Sequence, residues 1–155
     1  MSPEYRERIA QGRPRLEAIA REQYGIELSQ GPFGIDSRAA LRGAKLAERA
    51  GLGKAYHAAV FHAYWVEGED ISDRAWLVEI AASVGLDRDG FRAALDDPAV
   101  DAAVQADIDL AREVGINAVP AMVFAEKYLV SGAQPYPVLV EVTERVRALQ
   151  AEESA

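Results

Sequence analysis

The side chains able to do chemistry are few, and one kind is missing. None of the 155 residues is cysteine. Disulfides, thiolate nucleophiles and thiolate metal ligands are therefore excluded for the chain by itself. Its two histidines, His57 and His62, lie five apart on an expected helix. At 3.6 residues per turn that sets them about 140° apart around the axis, a poor arrangement for sharing a metal, and no metal or cofactor is expected. Glu67, Glu69, Asp70 and Asp73 form an acidic cluster. Asp70 and Asp73 could act as a carboxylate pair in acid–base work, but helix capping and solvated loop charge account for them. Asp107 and Asp109 flank Ile108 and point to different sides of a helix. Ser37, Ser72 and Ser83 sit in no nucleophile motif, and Ser72 is explained as an N-cap. Phe61, Tyr64, Trp65, Trp76 and Phe91 recur at helical spacing and read as core. No catalytic residue is assigned.

The elements that must position these residues are mostly helices. Half of the residues are apolar and 27% are charged, which suits one globular domain over 1–155. The formal charge of −8 has the wrong sign for non-specific nucleic-acid binding. No apolar run approaches the roughly 20 residues needed to span a bilayer. The start, Met1 to Arg6, has no apolar signal region, so a cytoplasmic location is expected.

Ser2-Pro3 opens a first helix, with Tyr5, Ile9, Leu16, Ile19 and Tyr24 recurring along it. Gly12 and Pro14 are expected to break or kink it, and Gly25 to end it. Ser29 to Gly34 reads as loop. Asp36-Ser37 starts a helix ending at Gly51. A further helix over about Gly53–Val66 is apolar nearly all round and is expected to be buried. Ser72, with Ile71 and Trp76 as a hydrophobic staple, caps the next helix, and Gly85 closes it. Asp87 starts a short helix. Asp97-Pro98 opens a longer one that ends at Gly115.

Beyond Gly115 the pattern changes. Val119–Ala125 and Lys127–Val130 are short apolar runs that read as two strands of a hairpin, with Glu126-Lys127 as the connection. A final helix follows Pro135 and Pro137, with Val138, Leu139, Val142, Val146 and Leu149 inward. The tail, Glu152 to Ala155, is expected to fray. The fold class is mainly α with a small β-hairpin, with a helical part over 1–115 and a β-β-α part over 116–150.

Several segments, taken in order, resemble the DsbA-like branch of the thioredoxin superfamily, and its FrnE-like members in particular. They are Ser37-Arg38-Ala39-Ala40-Leu41-Arg42-Gly43-Ala44, the stretch Phe61 to Asp73, Gly85-Leu86-Asp87, Ala118-Val119-Pro120, and Val130-Ser131-Gly132-Ala133-Gln134-Pro135. The Ser-Gly-Ala-Gln-Pro piece sides with the FrnE-like branch rather than with the isomerase and kappa-class glutathione transferase branch. The resemblance implies a truncated thioredoxin fold, consisting of a helical insertion followed by the closing β-β-α unit. The family's preceding β-α-β unit, which carries Cys-x-x-Cys, has no match here.

The same resemblance implies a cis bond before Pro120 and a polypeptide- or partner-binding role for Ala118, Val119 and Pro120. The expected protein is a relative of thiol–disulfide oxidoreductases that is redox-inactive alone. A homodimer, or a partner chain, is expected to cover the truncated sheet, because an open apolar strand edge invites pairing. Two alternatives stand beside this. One is a glutathione-using enzyme of the superfamily. The other is a fragment completed by a separate Cys-x-x-Cys chain.

Overall fold

The computed structural model describes residues 2–29, 31–32 and 34–153, without the side chains of Tyr5 and Arg6. Among these residues, seven α-helices, one π turn and one hairpin follow one another in the order α1 (Pro3–Tyr24), α2 (Arg38–Arg49), α3 (Gly53–His62), the π turn (Ala63–Glu67), α4 (Arg74–Ser83), α5 (Arg88–Ala94), α6 (Pro98–Glu113), β1 (Ala121–Phe124), β2 (Tyr128–Ser131) and α7 (Tyr136–Glu153). The chain divides into two compact units, one up to Val104 and one from Gln105.

The core of the first unit is built by α2 to α5, which pack on one another. Ala40 and Ala47 of α2, Tyr56 and Val60 of α3, Leu77, Val78, Ile80 and Ala81 of α4, and Phe91 and Leu95 are all buried in one cluster. Its centre is Tyr56, only 1% exposed. The Tyr56 ring lies 5.8 Å from that of Phe91, and its hydroxyl is tucked against Gly43. A Cβ at position 43 would fall 2.1 Å from that hydroxyl oxygen and 2.9 Å from Phe91. Glycine at 43 is therefore what admits the tyrosine. The hydroxyl has no hydrogen-bond partner, and burial pushes the phenol's pKa well above its ordinary value.

Caps set most helix ends. The Asp87 carboxylate accepts from the Gly90 N–H at 2.7 Å, and the Asp97 carboxylate from the Ala99 N–H at 2.8 Å, just ahead of Pro98. Gly85 and Gly115 take positive φ after α4 and α6, as helix-ending glycines do. The cap of α4 differs from expectation. Asp70 takes both the Ser72 hydroxyl (2.6 Å) and the Ser72 N–H (2.9 Å), so the cap falls to Asp73, which accepts from the Ala75 N–H at 2.8 Å. The staple expected around Ser72 is accordingly out of register by one residue.

Four further expectations are corrected. Gly12 and Pro14 do not interrupt α1, which runs unbroken with Pro14 inside it. Both Pro14 and Ala10, whose carbonyl loses its donor to the proline, are exposed, so water can meet the orphaned group. The stretch from Gly53 is not one buried α-helix. It turns into a π turn at Ala63, and Phe61 and Trp65 stay 53% and 39% exposed. Val138 of α7 faces outward rather than inward, while Val146 is buried. Glu152 and Glu153 are helical, and Glu153 pairs with Lys127. Ser154, Ala155 and the loop residues Gln30 and Phe33 lie outside the described residues.

An ion cluster ties α2 to the start of α6. Arg38 grips Asp101 through Nε and Nη2 at 2.7 and 2.8 Å, and Arg42 Nε reaches the same carboxylate at 2.7 Å. Asp96 is shared by Arg42 and Arg74. Hydrogen bonds from Arg38 and then Arg42 hold the Asp101 carboxyl well below the usual carboxylate range.

Two outcomes are expected. Gly43→Ala lowers stability by about 1–3 kcal/mol through overpacking, whereas Tyr56→Phe, which removes an unpaired buried hydroxyl, raises it by about 1 kcal/mol. Urea unfolding of both and of the double variant measures this, and the double variant should recover part of the Gly43→Ala loss. The Asp101 carboxyl is held below the value of about 3.9 that it has in the unfolded chain. Its stabilisation is therefore complete above that pH and is lost as pH falls toward the folded value. Asp101→Asn should be less stable than the parent at pH 7, and the difference should shrink below about pH 4 in thermal melts.

Candidate functional site

The second unit holds the segment singled out by sequence. Ala118, Val119 and Pro120 form an exposed bend between α6 and β1. Val119 is 87% exposed, the most exposed of the large apolar residues in the described chain. The Val119–Pro120 peptide bond is cis. From Pro120 the chain enters β1, which pairs antiparallel with β2 in the register Ala121↔Ser131, Met122↔Val130, Val123↔Leu129 and Phe124↔Tyr128. The Gly132 N–H donates to the Pro120 carbonyl at 2.8 Å.

That bond sets the polarity of the edge. In an antiparallel pair, hydrogen-bonded and non-hydrogen-bonded positions alternate. If position 120 bonds across to β2, so do Met122 and Phe124. Ala121 and Val123 then turn their N–H and C=O groups to the other side. Among the described residues the sheet has two strands, so those groups meet no further strand. One face of the hairpin is exposed too, since the cross-strand partners Val123 and Leu129 both lie open to solvent. On α7, Tyr136 and Val140 are likewise exposed. The turn at Ala125 and Glu126 puts two non-glycine residues at φ of 52° and 56°. Lys127, just after it, reaches Glu153 of α7, and that carboxylate raises the Lys127 pKa.

The titratable residues weighed from sequence are not brought together. The His57 ring lies 4.3 Å from that of Phe61, while His62 Nε2 lies 3.6 Å from Glu67. Asp70 and Asp73 each hold a backbone N–H, at Ser72 and Ala75. The Ser72 hydroxyl and N–H keep the Asp70 carboxyl below its usual pKa, which suits an acceptor rather than a proton donor. No group of three or more metal-ligating side chains occurs among the described residues.

Sequence reasoning missed a second feature, in the first unit. A cavity of about 290 Å³ opens between α2, α3 and the π turn. Its buried walls come from Ala40, Tyr56, Val60 and Ile71, and its rim from Leu41, Phe61 and Trp65. The signal was available in Ala40 and Ala44. Two small residues one turn apart on α2 leave room opposite the large side chains of α3.

A helical body followed by a proline bend, a β-hairpin and a closing helix defines a protein of the thioredoxin-like class. The DSBA-like thioredoxin domain matches residues 4–143, and the chain belongs to that family. In fold it is similar to the crystal structure of a probable DsbA oxidoreductase from Streptomyces coelicolor, with a TM-score of 0.79 and 30% identity over 96% of this chain. The chain spans 63% of the length of that structure. It is also similar in fold to a 2-hydroxychromene-2-carboxylate isomerase, with a TM-score of 0.78 and 22% identity, over 97% of this chain and 73% of the other. No curated protein matches it by sequence.

Proposed function

We infer that this chain is a FrnE-like, cytoplasmic member of its family that carries out no thiol–disulfide exchange by itself and binds extended polypeptide along β1. The observation that carries this reading is the open edge of β1, combined with a sequence free of cysteine. Exchange proceeds by attack of a thiolate on a disulfide sulfur, and this chain has no thiol to supply it. Strand addition needs only backbone groups and shallow pockets for alternate side chains. Ala121 and Val123 offer the backbone groups. Exposed Val119, beside Pro120, offers an apolar contact at the start of the strand.

A second reading uses the same surface. Val123, Leu129, Tyr136 and Val140 are all exposed apolar residues of the second unit. Apolar surface of this kind marks association sites, so a second copy, or a partner chain that supplies further strands, also fits the edge. The extent of the Streptomyces structure beyond the part this chain covers is consistent with such a partner.

Binding is measured by fluorescence anisotropy with labelled, reduced and carboxymethylated lactalbumin, a permanently unfolded polypeptide. The expected result is saturable binding that Val123→Pro weakens at least tenfold. Proline at 123 removes only the outward N–H and is tolerated at a strand edge. Binding unchanged by that variant would rule out the edge as the site. Insulin reduction no faster than the dithiothreitol background is expected alongside. Light scattering over a dilution series separates the two readings. A mass of twice 16.8 kDa that Val123→Pro halves assigns the edge to a second copy.

A further inference from the structure

We propose that the cavity between α2, α3 and the π turn binds a small, uncharged, largely apolar molecule carrying one hydrogen-bonding group. The site lies within the first unit and shares no residue with the edge of β1. Its walls and its rim differ in a way that indicates an occupant. Ala40, Tyr56, Val60 and Ile71 are buried in the core, so the walls are rigid. Leu41, Phe61 and Trp65 stand around the opening with 46%, 53% and 39% of their surface exposed. Large apolar side chains left in water around a concave, preformed wall are the anatomy of a ligand pocket.

Size and lining limit the ligand. A cavity of about 150 Å³ lined by Leu, Ile and Phe stays dry and takes benzene. One of about 290 Å³ has room for a molecule of roughly twice that size. No Asp, Glu, Lys or Arg is among the residues lining it. A charged ligand would therefore give up hydration without gaining a counter-ion. Besides its two tyrosines and its tryptophan, two polar residues line it, Ser37 and His57. Ser37 occupies the N-cap position of α2, yet its side chain makes no cap hydrogen bond. Its hydroxyl is thus available to a carbonyl or hydroxyl of the ligand. The His57 imidazole, beside Phe61, is the other candidate partner.

The π turn supplies an independent observation. Such turns inside α-helices are frequent at functional sites, and this one places Tyr64 and Trp65 in the lining. It is held by dedicated contacts. The Trp65 carbonyl accepts from the Ser29 N–H at 2.8 Å, and the Ala63 carbonyl from the Glu69 N–H at 2.9 Å. Gly68, at φ 79°, closes the turn where a Cβ would lie 2.3 Å from the Ser29 hydroxyl.

The test titrates the full chain with N-phenyl-1-naphthylamine, an uncharged two-ring fluorophore, and with its anionic relative 1-anilinonaphthalene-8-sulfonate. Saturable one-to-one binding of the uncharged probe is expected, at least tenfold tighter than that of the sulfonate. Ala44→Leu, which fills the cavity from α2, should weaken binding at least tenfold. Phe61→Ala, which removes only an exposed rim side chain and leaves the core untouched, should weaken it at least threefold. Leu110→Ser, which changes an exposed apolar residue outside the cavity lining, should leave it unchanged. No saturable binding up to the solubility of the probe overturns the proposal. So does equal affinity for the two probes, or an affinity that neither Ala44→Leu nor Phe61→Ala alters.

Discussion

The contact between Tyr56 and Gly43 is the constraint on which the helical unit depends. A tyrosine buried to its hydroxyl needs a neighbour without a side chain, and α2 provides one. With the ring lodged between α2 and Phe91, α3 has a fixed place beside α2. The small residues Ala40 and Ala44, on either side of Gly43, then line an opening rather than a filled seam. The arrangement leaves the phenolic oxygen without a partner. A buried unsatisfied hydroxyl costs about 1–3 kcal/mol, so the rest of the core must offset that amount. The same side chain thus anchors the packing and walls the cavity.

The second unit works under a different constraint. Its sheet has two strands among the described residues, and a lone hairpin is marginal in water without further packing. Among the described residues of this unit, Val146 is the one buried in a core. The link from Lys127 to Glu153 joins the turn of the hairpin to the far end of α7, but such an exposed pair contributes little. Apolar side chains on the hairpin and on α7 remain in solvent. The first unit encloses its own core, whereas the second presents unsatisfied backbone and apolar surface. The binding readings for the two units therefore rest on different physics, an edge in one and a concavity in the other.

Much of this was legible in the sequence, because local signals act locally. Asp87, Asp97-Pro98, Gly85 and Gly115 mark helix ends through short-range hydrogen bonds and backbone freedom. The switch from helical periodicity to two short apolar runs after Gly115 announces the hairpin. What could not be read depended on competition or on depth. Ser72 is a good cap by type, but Asp70 claims its hydroxyl. Pro14 is a helix breaker by type, but its environment is wet enough to tolerate it. Phe61 and Trp65 look like core, and the only hint of an incomplete wall lies in Ala40 and Ala44 of another helix. The π turn rests on Ser29, more than thirty residues upstream in the chain, and no window-based pattern contains that contact.

The order of the two units along the chain bears on synthesis. Domains tend to fold as units, the N-terminal one first as it leaves the ribosome. The helical unit closes with Val104, and its helix contacts join elements close in sequence, a topology that folds fast. Its core can therefore form before Ala121 has emerged from the ribosome. The hairpin, with its open strand edge, follows the helical unit in the chain, so the core of that unit can be hidden before the edge is available for pairing.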